Sequence, residues 1–450
     1  MKNLKTILSV IAGKITIKAL GIIGKSATAL PGNIALRVQP DMLKIIRKRC
    51  KTVIFITGTN GKTTTNNLLN HIVNDEYNIV SNLRGANMRQ GVVSAYLKDI
   101  KGEYDLGIFE IDEGSFQPIA QDINPDYILI TNFFRDQLDR YGEIESTVSM
   151  VYENIKPLDT TLILNSDDPF VCKFKDLNKK NIFYGVKMNK FSSKSEELVE
   201  TRFCPVCNSG LDYVYYNYGH LGKYQCGECN FENSPYNYYI DNLEYDNYKY
   251  CFDVNVDDKK ILENVCFGYD GIYNIYNCCG VFALSFELGI EPNKIKTKME
   301  DFNYKLGRME EVSYENKIIK IALVKNPIGL TEVIRSISHD NRNKALLFIL
   351  NDNPADGRDV SWIWDASLGK FKDIKNLKNI LCSGRRAEDI AMRIKYAQIS
   401  PKLIKIDDNM KNAIKKSINE DVEVVYILPT YTAVFETRDI VYESTGQGED

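Results

Sequence analysis

Short apolar runs alternate with stretches of helical periodicity along most of the chain. The run at 52–57, TVIFIT, precedes a glycine and then a segment with the composition of a helix. Similar runs recur at DLGIFEID, DYILITN, TLILN, KALLFIL, NILCSG and VVYILP. Strands that alternate with helices form right-handed βαβ units, so the pattern predicts an α/β fold with parallel sheets covered by helices on both faces.

The alternation is interrupted once and then resumes. Residues from about 200 to 235, which are rich in Tyr, Asn and Cys, interrupt the alternation, and this interruption indicates an insertion. The alternation restarts at about 315. We therefore predict three regions, at 1–45, 46–312 and 313–450. The first is a basic amphipathic segment. The second is a large α/β domain that carries the insertion, and the third is a smaller α/β domain.

The N-terminal segment combines helical periodicity with positive charge. The first forty residues contain six cations and no acidic residue, and Lys14, Lys18 and Lys25 keep each apolar run shorter than the ~20 residues that span a bilayer. The pattern predicts an amphipathic helix. Packing on the next domain is the first interpretation, and contact with an anionic membrane surface is kept as a second hypothesis. The apolar positions at helical spacing are Leu4, Ile7, Leu8, Ile11 and Ile15.

The composition of the 450 residues is that of an ordinary globular protein, with 44% apolar and 26% charged residues. These values exclude a disordered or collagen-like chain. The net charge of −3 provides no global basic field, so nucleic acid is not a predicted partner. The three histidines have no evident Ser or Cys partner, so a complete Ser/His/Asp centre within this chain is not predicted.

A glycine loop, GTNGKTTT at 58–65, stands between the first predicted strand and the following helix. Backbone amides and a helix N-terminus in this context bind a triphosphate, with Lys62 as a mobile positive charge and a threonine hydroxyl within reach of a metal ion. Ile56 occupies the position of the standard loop's first glycine, so the loop is a variant. The predicted nucleotide-binding residues are Gly58, Thr59, Asn60, Gly61, Lys62, Thr63 and Thr64.

From this loop onward the sequence resembles the Mur ligases, which are ATP-dependent enzymes that join amino acids to peptidoglycan precursors, and their folylpolyglutamate synthase relatives. The resemblance covers roughly residues 50–330. Its further motifs are EIDEGSF at 110–116, TNFFRDQLDRYGE at 131–143, LNSDDPF at 164–170, GIYNIYN at 271–277 and GRME at 307–310. The resemblance implies a Mur-ligase-like central domain that uses ATP and Mg²⁺, with Lys62 and Thr63 binding phosphate and metal.

The resemblance also implies roles for residues outside the loop. Glu110 or Glu113 completes the magnesium shell, and which of the two binds the ion stays open. Asn274 approaches the adenine and Arg308 the phosphates. Gln137 stands where the family has a metal-binding histidine. Only about fifty residues precede the loop, too few for the domain with which Mur ligases hold a uridine diphosphate handle, so we expect the substrate to be recognised in another way, for example as a lipid-linked precursor.

Four of the eleven cysteines form a metal-ligand pattern. Cys204 and Cys207 lie in CPVC, Cys226 and Cys229 lie in CGEC, and eighteen residues separate the pairs. Two such turns aim four thiolates at one point, which suits tetrahedral Zn²⁺. Four sulfur ligands leave no position for water, so the predicted zinc ribbon is structural. The remaining cysteines are predicted to be thiols, as in a reducing cytoplasm.

The loop NDNPADGRDVSWIWD at 351–365 follows the predicted strand KALLFIL and narrows the resemblance. With the cysteine insertion and the short N-terminus, it makes nearly the whole chain similar to the ligase subunits of lipid II isoglutaminyl synthases. That branch implies a heterodimer with a GatD-like glutamine amidotransferase, whose Cys/His pair takes its acid from the ligase subunit. The matching position here is Asp359, and a carboxylate in this role orients the imidazole and stabilises its charged form.

The implied reaction is the ATP-dependent amidation of the α-carboxyl of D-glutamate in the lipid II stem peptide to D-isoglutamine. It proceeds through an acyl phosphate, with ammonia from the glutaminase subunit, in the cytoplasm at the inner face of the cell membrane. Two alternatives stay open. One is an amino-acid-adding Mur ligase or folylpolyglutamate synthase-like ligase, and the other is a non-catalytic, nucleotide-gated zinc-ribbon binding module. An assay of the nitrogen donor distinguishes the first alternative, because such ligases use a free amino acid and need no glutaminase. Sustained phosphate release that depends on a cell-wall acceptor would exclude the second alternative.

Overall fold

A computed structural model gives the fold of the chain. It describes residues 4–22, 28–83, 85–135, 144–177, 179–195, 200–246, 249–303 and 308–446, without the side chains at 308, 309 and 370. Gln137 and the side chain of Arg308 therefore lie outside the described residues. The chain divides into a central unit, which includes 143–268 and 272–302 as well as the N-terminal part up to 134, and a C-terminal unit, which includes 269–271 and 303–450.

The central unit contains, in chain order, α1 (Leu4–Ile22), α2 (Leu30–Val38), α3 (Met42–Arg47), β1 (Cys50–Thr57), α4 (Lys62–Val73), β2 (Ile79–Ser81), α5 (Arg89–Lys98), β3 (Tyr104–Glu110), α6 (Phe116–Ile123), β4 (Tyr127–Ile130), α7 (Ile144–Ile155), β5 (Thr161–Asn165), α8 (Pro169–Cys172), β6 (Lys180–Val186), β7 (Leu211–Tyr218), β8 (Leu221–Cys226), β9 (Tyr238–Asp246), β10 (Lys249–Val256), β11 (Lys259–Phe267), α9 (Ile272–Glu287) and α10 (Pro292–Glu300). The C-terminal unit contains β12 (Arg308–Tyr314), β13 (Lys317–Ala322), α11 (Pro327–His339), β14 (Lys344–Ile349), α12 (Trp362–Asp365), β15 (Leu377–Ser383), α13 (Ala387–Tyr396), β16 (Ile404–Ile406), α14 (Met410–Ile418), β17 (Val424–Pro429) and α15 (Tyr431–Thr445).

The main sheet of the central unit has nine strands in the order β11-β10-β9-β6-β5-β4-β1-β3-β2. Within this sheet, all neighbouring strands between β9 and β2 pair in parallel. At the other edge, β10 pairs antiparallel with β9, and β11 pairs antiparallel with β10. The last five residues of β1 are all buried, as expected of a strand covered on both faces. The strand order reverses at β1, which lies between β3 and β4, so ligands are expected at its carboxyl end.

The edge strands contradict one expectation about the cysteines. Cys251 on β10 and Cys266 on β11 are register partners and form a disulfide, with their Cα atoms 4.1 Å apart. The prediction that every cysteine outside the zinc ribbon is a thiol is therefore wrong for this pair. The antiparallel pairing brings together two residues fifteen positions apart, and the sequence pattern did not reveal that pairing.

The insertion forms a separate two-stranded sheet, β7 and β8, which the buried residue Asp167 connects to the rest of the central unit. Asp167, just after β5, accepts hydrogen bonds from the hydroxyls of Tyr236 and Tyr276 and from the backbone N–H of Val186. Its own backbone carbonyl accepts from the N–H of Gly222 on β8 at 3.0 Å. Burial raises the pKa of Asp167 to about 6. Asp167 thus connects the insertion, through its backbone carbonyl, to β6 and α9, which its carboxylate contacts.

The C-terminal unit has a six-stranded sheet in the order β12-β13-β17-β14-β15-β16. Only β12 is antiparallel to its neighbour; the other strands pair in parallel. Every residue of β14 is buried, and helices cover both faces of the sheet through two separate apolar clusters. The predicted fold class, a large parallel α/β domain with a smaller C-terminal α/β domain, is confirmed. No helix in the described ranges is both long and apolar enough to cross a membrane.

Candidate nucleotide site and cysteine cluster

The glycine loop is held by the residues that follow β4. The backbone N–H of Thr59 donates to the carbonyl of Asn132 at 2.8 Å, and the N–H of Asn60 donates to Asn132 Oδ1 at 2.9 Å. Thr131 Oγ1 donates to the carbonyl of Asn60 at 2.8 Å. The amides of Thr59 and Asn60 are therefore engaged by Asn132. We expect a phosphate to bind instead at the amides of the N-terminus of α4, which begins at Lys62.

Only glycine fits at positions 58 and 61 of the loop. Their φ angles are +115° and +88°, a region that side chains disfavour. A Cβ at Gly58 would lie 2.6 Å from the carbonyl oxygen of Asn132, and one at Gly61 would lie 2.2 Å from Asn277 Oδ1. The loop therefore requires both glycines in order to approach the end of β4 and the helix α9.

The predicted phosphate lysine forms a buried ion pair. Lys62 Nζ lies 3.0 Å from Glu113 Oε2, and both side chains are about 8% exposed. Burial alone would lower the pKa of Lys62, but the charges of Glu113, Asp112 and Glu110 raise it above its ordinary value. Burial raises the pKa of Glu113. The charge on Lys62 is therefore held inside the unit by three carboxylates.

Glu110, at the end of β3, has an oxygen to offer to a cation. Its Oε1 accepts from Asn87 Nδ2 at 3.1 Å, whereas the buried Oε2 has no hydrogen-bond partner among the described residues. A buried carboxylate oxygen without a partner is costly, and Mg²⁺ prefers oxygen ligands. The buried Oε2 of Glu110 is therefore a suitable ligand atom for Mg²⁺. Of the two carboxylates left open by the sequence, Glu113 is bound to Lys62, so Glu110 is the better candidate ligand.

The motif GIYNIYN folds into the first turns of α9 and reaches the glycine loop. Asn277 Nδ2 donates to Asn274 Oδ1 at 3.3 Å, and both side chains are buried. Asn277 and Asn132 contact the loop and were not predicted as site residues, although both lie in motifs of the family resemblance, GIYNIYN at 271–277 and TNFFRDQLDRYGE at 131–143. Asn87 lay in no such motif. The structure places Asn274 beside Asn277, and the predicted roles of Asn274 at the adenine and of Arg308 at the phosphates both stay predictions.

The four predicted zinc ligands meet at one point. Their sulfur atoms all lie within 4.8 Å of one another, with 3.5 Å for both Cys204–Cys229 and Cys207–Cys226. A tetrahedral ion with Zn–S bonds of ~2.3 Å requires sulfur atoms about 3.8 Å apart, so the spacing fits. Hydrogen bonds from the backbone and hydroxyl of Ser209 lower the pKa of Cys207 to about 6, whereas burial raises the pKa of Cys204, and burial and the neighbouring thiols raise the pKa of Cys229 to about 12. Metal binding would therefore displace protons from the cluster.

In the C-terminal unit, the loop 351–365 holds its aspartates in different environments. Asp356 is buried and accepts from the backbone N–H of Thr432 at 2.7 Å and also from its hydroxyl, so it fixes the loop to the start of α15. Asp352 is paired with Arg385, with 2.8 Å between Nε and Oδ1, and with Arg386. Both are therefore part of the structure of the loop.

Asp359 is one of two exposed aspartates of the loop, the other being Asp365. It is exposed, and it accepts from the backbone N–H of Ser361 at 2.8 Å and from the Ser361 hydroxyl at 2.9 Å. These hydrogen bonds lower the pKa of Asp359, so its carboxylate is charged at neutral pH. Trp364, two residues after the start of α12, is 47% exposed and stacks edge-on against the exposed Tyr396.

Comparison with known proteins identifies the family. Residues 56–285 match the family described as "Mur ligase middle domain", and residues 323–434 match "MurT ligase C-terminal". The chain is 34% identical over 422 residues to the lipid II isoglutaminyl synthase (glutamine-hydrolyzing) subunit MurT of Staphylococcus aureus strain COL, covering 94% of each chain. The chain belongs to the MurT family. The MurT of Streptococcus pneumoniae strain R6 is 33% identical over 98% of this chain and 97% of its own.

Solved structures of more distant proteins share the fold of this MurT-family chain. A pseudomurein peptide ligase type C from Methanothermus fervidus superposes with a TM-score of 0.67 at 24% identity and covers 90% of this chain and 80% of that protein. Folylpolyglutamate synthase from Mycobacterium tuberculosis superposes with a TM-score of 0.63 at 12% identity, over 94% and 99%. At these identities the likeness establishes the fold alone.

The close contact at Gly61 leads to the first prediction. Gly61→Ala places a methyl group in a left-handed backbone region, at a cost of about 1–2 kcal/mol, and against Asn277. We expect ATP affinity, measured by titration calorimetry, to fall at least tenfold. Gly102→Ala is the matched control, because a Cβ there meets no atom within 4 Å. Equal affinities in the Gly61 variant and the wild type would contradict the geometry described for the loop.

Proposed function

We propose that this chain is the ligase subunit of a lipid II isoglutaminyl synthase. It would amidate the α-carboxyl of D-glutamate in the lipid II stem peptide with ATP, in the cytoplasm at the inner face of the membrane. The observation that carries the proposal is the alignment with MurT of S. aureus over 94% of both chains. The arrangement of Lys62, Glu110 and the two loop glycines supports it, because these residues suit phosphoryl transfer.

The proposed reaction has two steps. An oxygen of the acceptor carboxylate attacks the γ-phosphorus of ATP, the bond to the bridging oxygen breaks, and ADP leaves. Ammonia then attacks the acyl carbon, inorganic phosphate leaves with the former carboxylate oxygen, and a proton is lost to give the amide. Lys62 would leave Glu113 for the phosphates and offset the negative charge that develops there.

A magnesium ion would be held by Glu110, with Thr63 on the first turn of α4 as the second candidate ligand. The ion would supply Lewis-acid neutralisation of the phosphate oxygens. The buried Oε2 of Glu110 supports this assignment, since a cation would provide the partner that the described part of the chain does not supply. Asn87 would keep the carboxylate oriented through its hydrogen bond to Oε1.

A cavity of about 340 Å³ at the end of β2 is the proposed acceptor site. Ser81, Asn82, Gly91 and Lys98 contribute to its wall. Asn82 also accepts from the backbone N–H of Glu110 at 2.9 Å and donates to its carbonyl at 2.8 Å, so the cavity adjoins the strand end that carries the candidate metal ligand. Its volume lies in the range of small-molecule sites and suits part of a peptide stem.

The proposed partner is a GatD-like glutamine amidotransferase that contacts the 351–365 loop. Asp359 would supply the acid that orients the catalytic histidine of the partner. Its exposure and its depressed pKa support this role, because the carboxylate is charged and accessible. The exposed pair Trp364 and Tyr396 would anchor the interface, since large aromatic side chains are enriched among residues that dominate binding.

Substitution of Asp359 tests the proposed division of labour. In the complex with the glutaminase subunit, Asp359→Asn is expected to reduce glutamine-driven amidation about 100-fold or more, because an amide does not stabilise the imidazolium. Amidation driven by added ammonium chloride is expected to stay within about twofold of wild type. Asp408→Asn, an exposed aspartate of the same unit, is the matched control. Equal loss with both nitrogen sources would remove the role of Asp359.

We also propose that the four-cysteine cluster holds one structural Zn²⁺. Cys204 and Cys226 pack in an apolar cluster with Tyr224 and Phe231, and Tyr224 Oη donates to the carbonyl of Ser166 at 3.0 Å. The ion would hold the insertion together and, through Asp167 and Tyr276, support the position of α9. The cluster would take no part in the reaction, since four thiolates leave no open position.

The zinc proposal is tested by metal analysis of the purified chain. We expect one zinc per chain by mass spectrometry of dissolved metal, and a large loss of zinc together with a lower melting temperature in Cys226→Ser. Cys382→Ser, a buried cysteine of β15, is the control that keeps the metal. Wild-type protein without stoichiometric zinc, or full zinc content in Cys226→Ser, would contradict the assignment.

A further inference from the structure

Helix α1 is attached to the central unit by its small residues. Ser9 is buried and donates from Oγ to the carbonyl of Ala35 on α2 at 2.8 Å. Gly13 is buried against α5, where a Cβ would lie 2.5 Å from Leu97 Cδ1. The close approach on this side fixes the rotation of α1, so the opposite side of the helix faces solvent.

The outward side of α1 is apolar. At 3.6 residues per turn, its exposed apolar side chains fall within an arc of about 100°, opposite to Ser9 and Gly13. A surface helix normally turns such a stripe toward the core, so this arrangement is the reverse of the usual one. The side chains, here called the outer face, are Leu4 (68% exposed), Ile7 (40%), Leu8 (49%), Ile11 (49%), Ile15 (62%) and Ile22 (86%).

Positive charge borders the outer face. Lys14 and Lys18 are exposed and lie on the same side of the helix as Ile11 and Ile15, and the first acidic residue of the chain is Asp41. A second copy of the helix would bring lysines together with no carboxylate of α1 to pair them, which disfavours a dimer through this face. An anionic lipid surface is complementary in both respects, because it takes up apolar side chains and attracts cations.

We propose that the outer face of α1 docks this protein onto an anionic phospholipid bilayer. The helix would lie in the plane of the interface, with the isoleucines and leucines among the acyl chains and the lysines at the headgroups. The docking itself is independent of the enzymatic activity. Its consequence rests on the proposed function, since a docked α1 would hold the acceptor site close to a lipid-linked substrate.

The connection between the outer face and the cavity runs through α5. Leu97 of α5 packs against α1, and Gly91, Ala95 and Lys98 of the same helix line the cavity at the end of β2. Thr28, which follows α1 in the chain, also lines that cavity. All of these residues belong to the central unit. Docking of the outer face would therefore orient the candidate acceptor site relative to the bilayer.

Vesicle flotation of the full chain tests the proposal. The vesicles are equimolar phosphatidylglycerol and phosphatidylcholine, with pure phosphatidylcholine for comparison. Ile11→Ser/Ile15→Ser is expected to lower the partition coefficient on anionic vesicles at least tenfold, and Lys14→Gln/Lys18→Gln to lower it on anionic vesicles only. Ile261→Ser/Ile406→Ser is the matched control, since these isoleucines are also exposed but lie outside α1, and it is expected to bind as wild type.

Two further readouts separate the explanations. Wild-type protein that does not bind anionic vesicles, or an Ile11/Ile15 variant that binds as wild type, would overturn the proposal. A wild-type dimer that becomes a monomer in that variant, with no vesicle binding, would assign the outer face to a second copy and overturn it as well. Amidation of detergent-solubilised lipid II with ATP and ammonium is expected to be unchanged in the variant, because this substrate does not require docking on a bilayer. Its absence in wild type would refute the proposed function while leaving the docking result intact.

Discussion

The structure of the candidate site depends on the close approach of the glycine loop to two neighbouring segments, the end of β4 and the helix α9. Gly58 lies against the carbonyl of Asn132 after β4, and Gly61 lies against the side chain of Asn277 on α9. Neither position has room for a Cβ, so the loop, the end of β4 and α9 have to be placed together. Because β1 lies at the reversal of strand order, the same packing brings Glu110 from β3 to this edge of the sheet. The geometry of the sheet therefore determines which polar groups share the site.

Buried charges and hydrogen bonds then hold the surrounding elements in position. Lys62 is balanced by Glu113 inside the unit, and Glu110 retains one buried oxygen that no donor among the described residues contacts. The backbone carbonyl of Asp167 accepts from Gly222 of the cysteine insertion and its carboxylate accepts from Tyr276, so this residue connects the insertion to the helix that carries Asn274 and Asn277. The insertion thus has a physical connection to the nucleotide loop, although four thiolates would leave an ion bound in it no open position for substrate.

Much of the fold could be predicted from the sequence, because buried parallel strands form continuous apolar runs. The runs at 52–57, 344–350 and 424–429 correspond to β1, β14 and β17. The strands β10 and β11 lack such a run, because Lys, Asn, Asp and Glu interrupt their apolar residues, and the sequence pattern did not reveal the disulfide between them for that reason. The sequence also left Glu110 and Glu113 equivalent. The structure distinguishes them, because only a three-dimensional arrangement shows which carboxylate is engaged by Lys62. Asn87 lies on a loop with no motif of its own, so its contact with Glu110 could not be anticipated.

The central claim is that this chain transfers phosphate to a carboxylate before nitrogen arrives. The most direct test labels the α-carboxyl of the D-glutamate in a lipid II acceptor with ¹⁸O and supplies ATP and ammonium without a partner subunit. Mass spectrometry of the released inorganic phosphate is expected to show one ¹⁸O atom per isoglutamine formed. Amide formation with unlabelled phosphate, or ATP consumption that does not depend on the acceptor, would contradict the account.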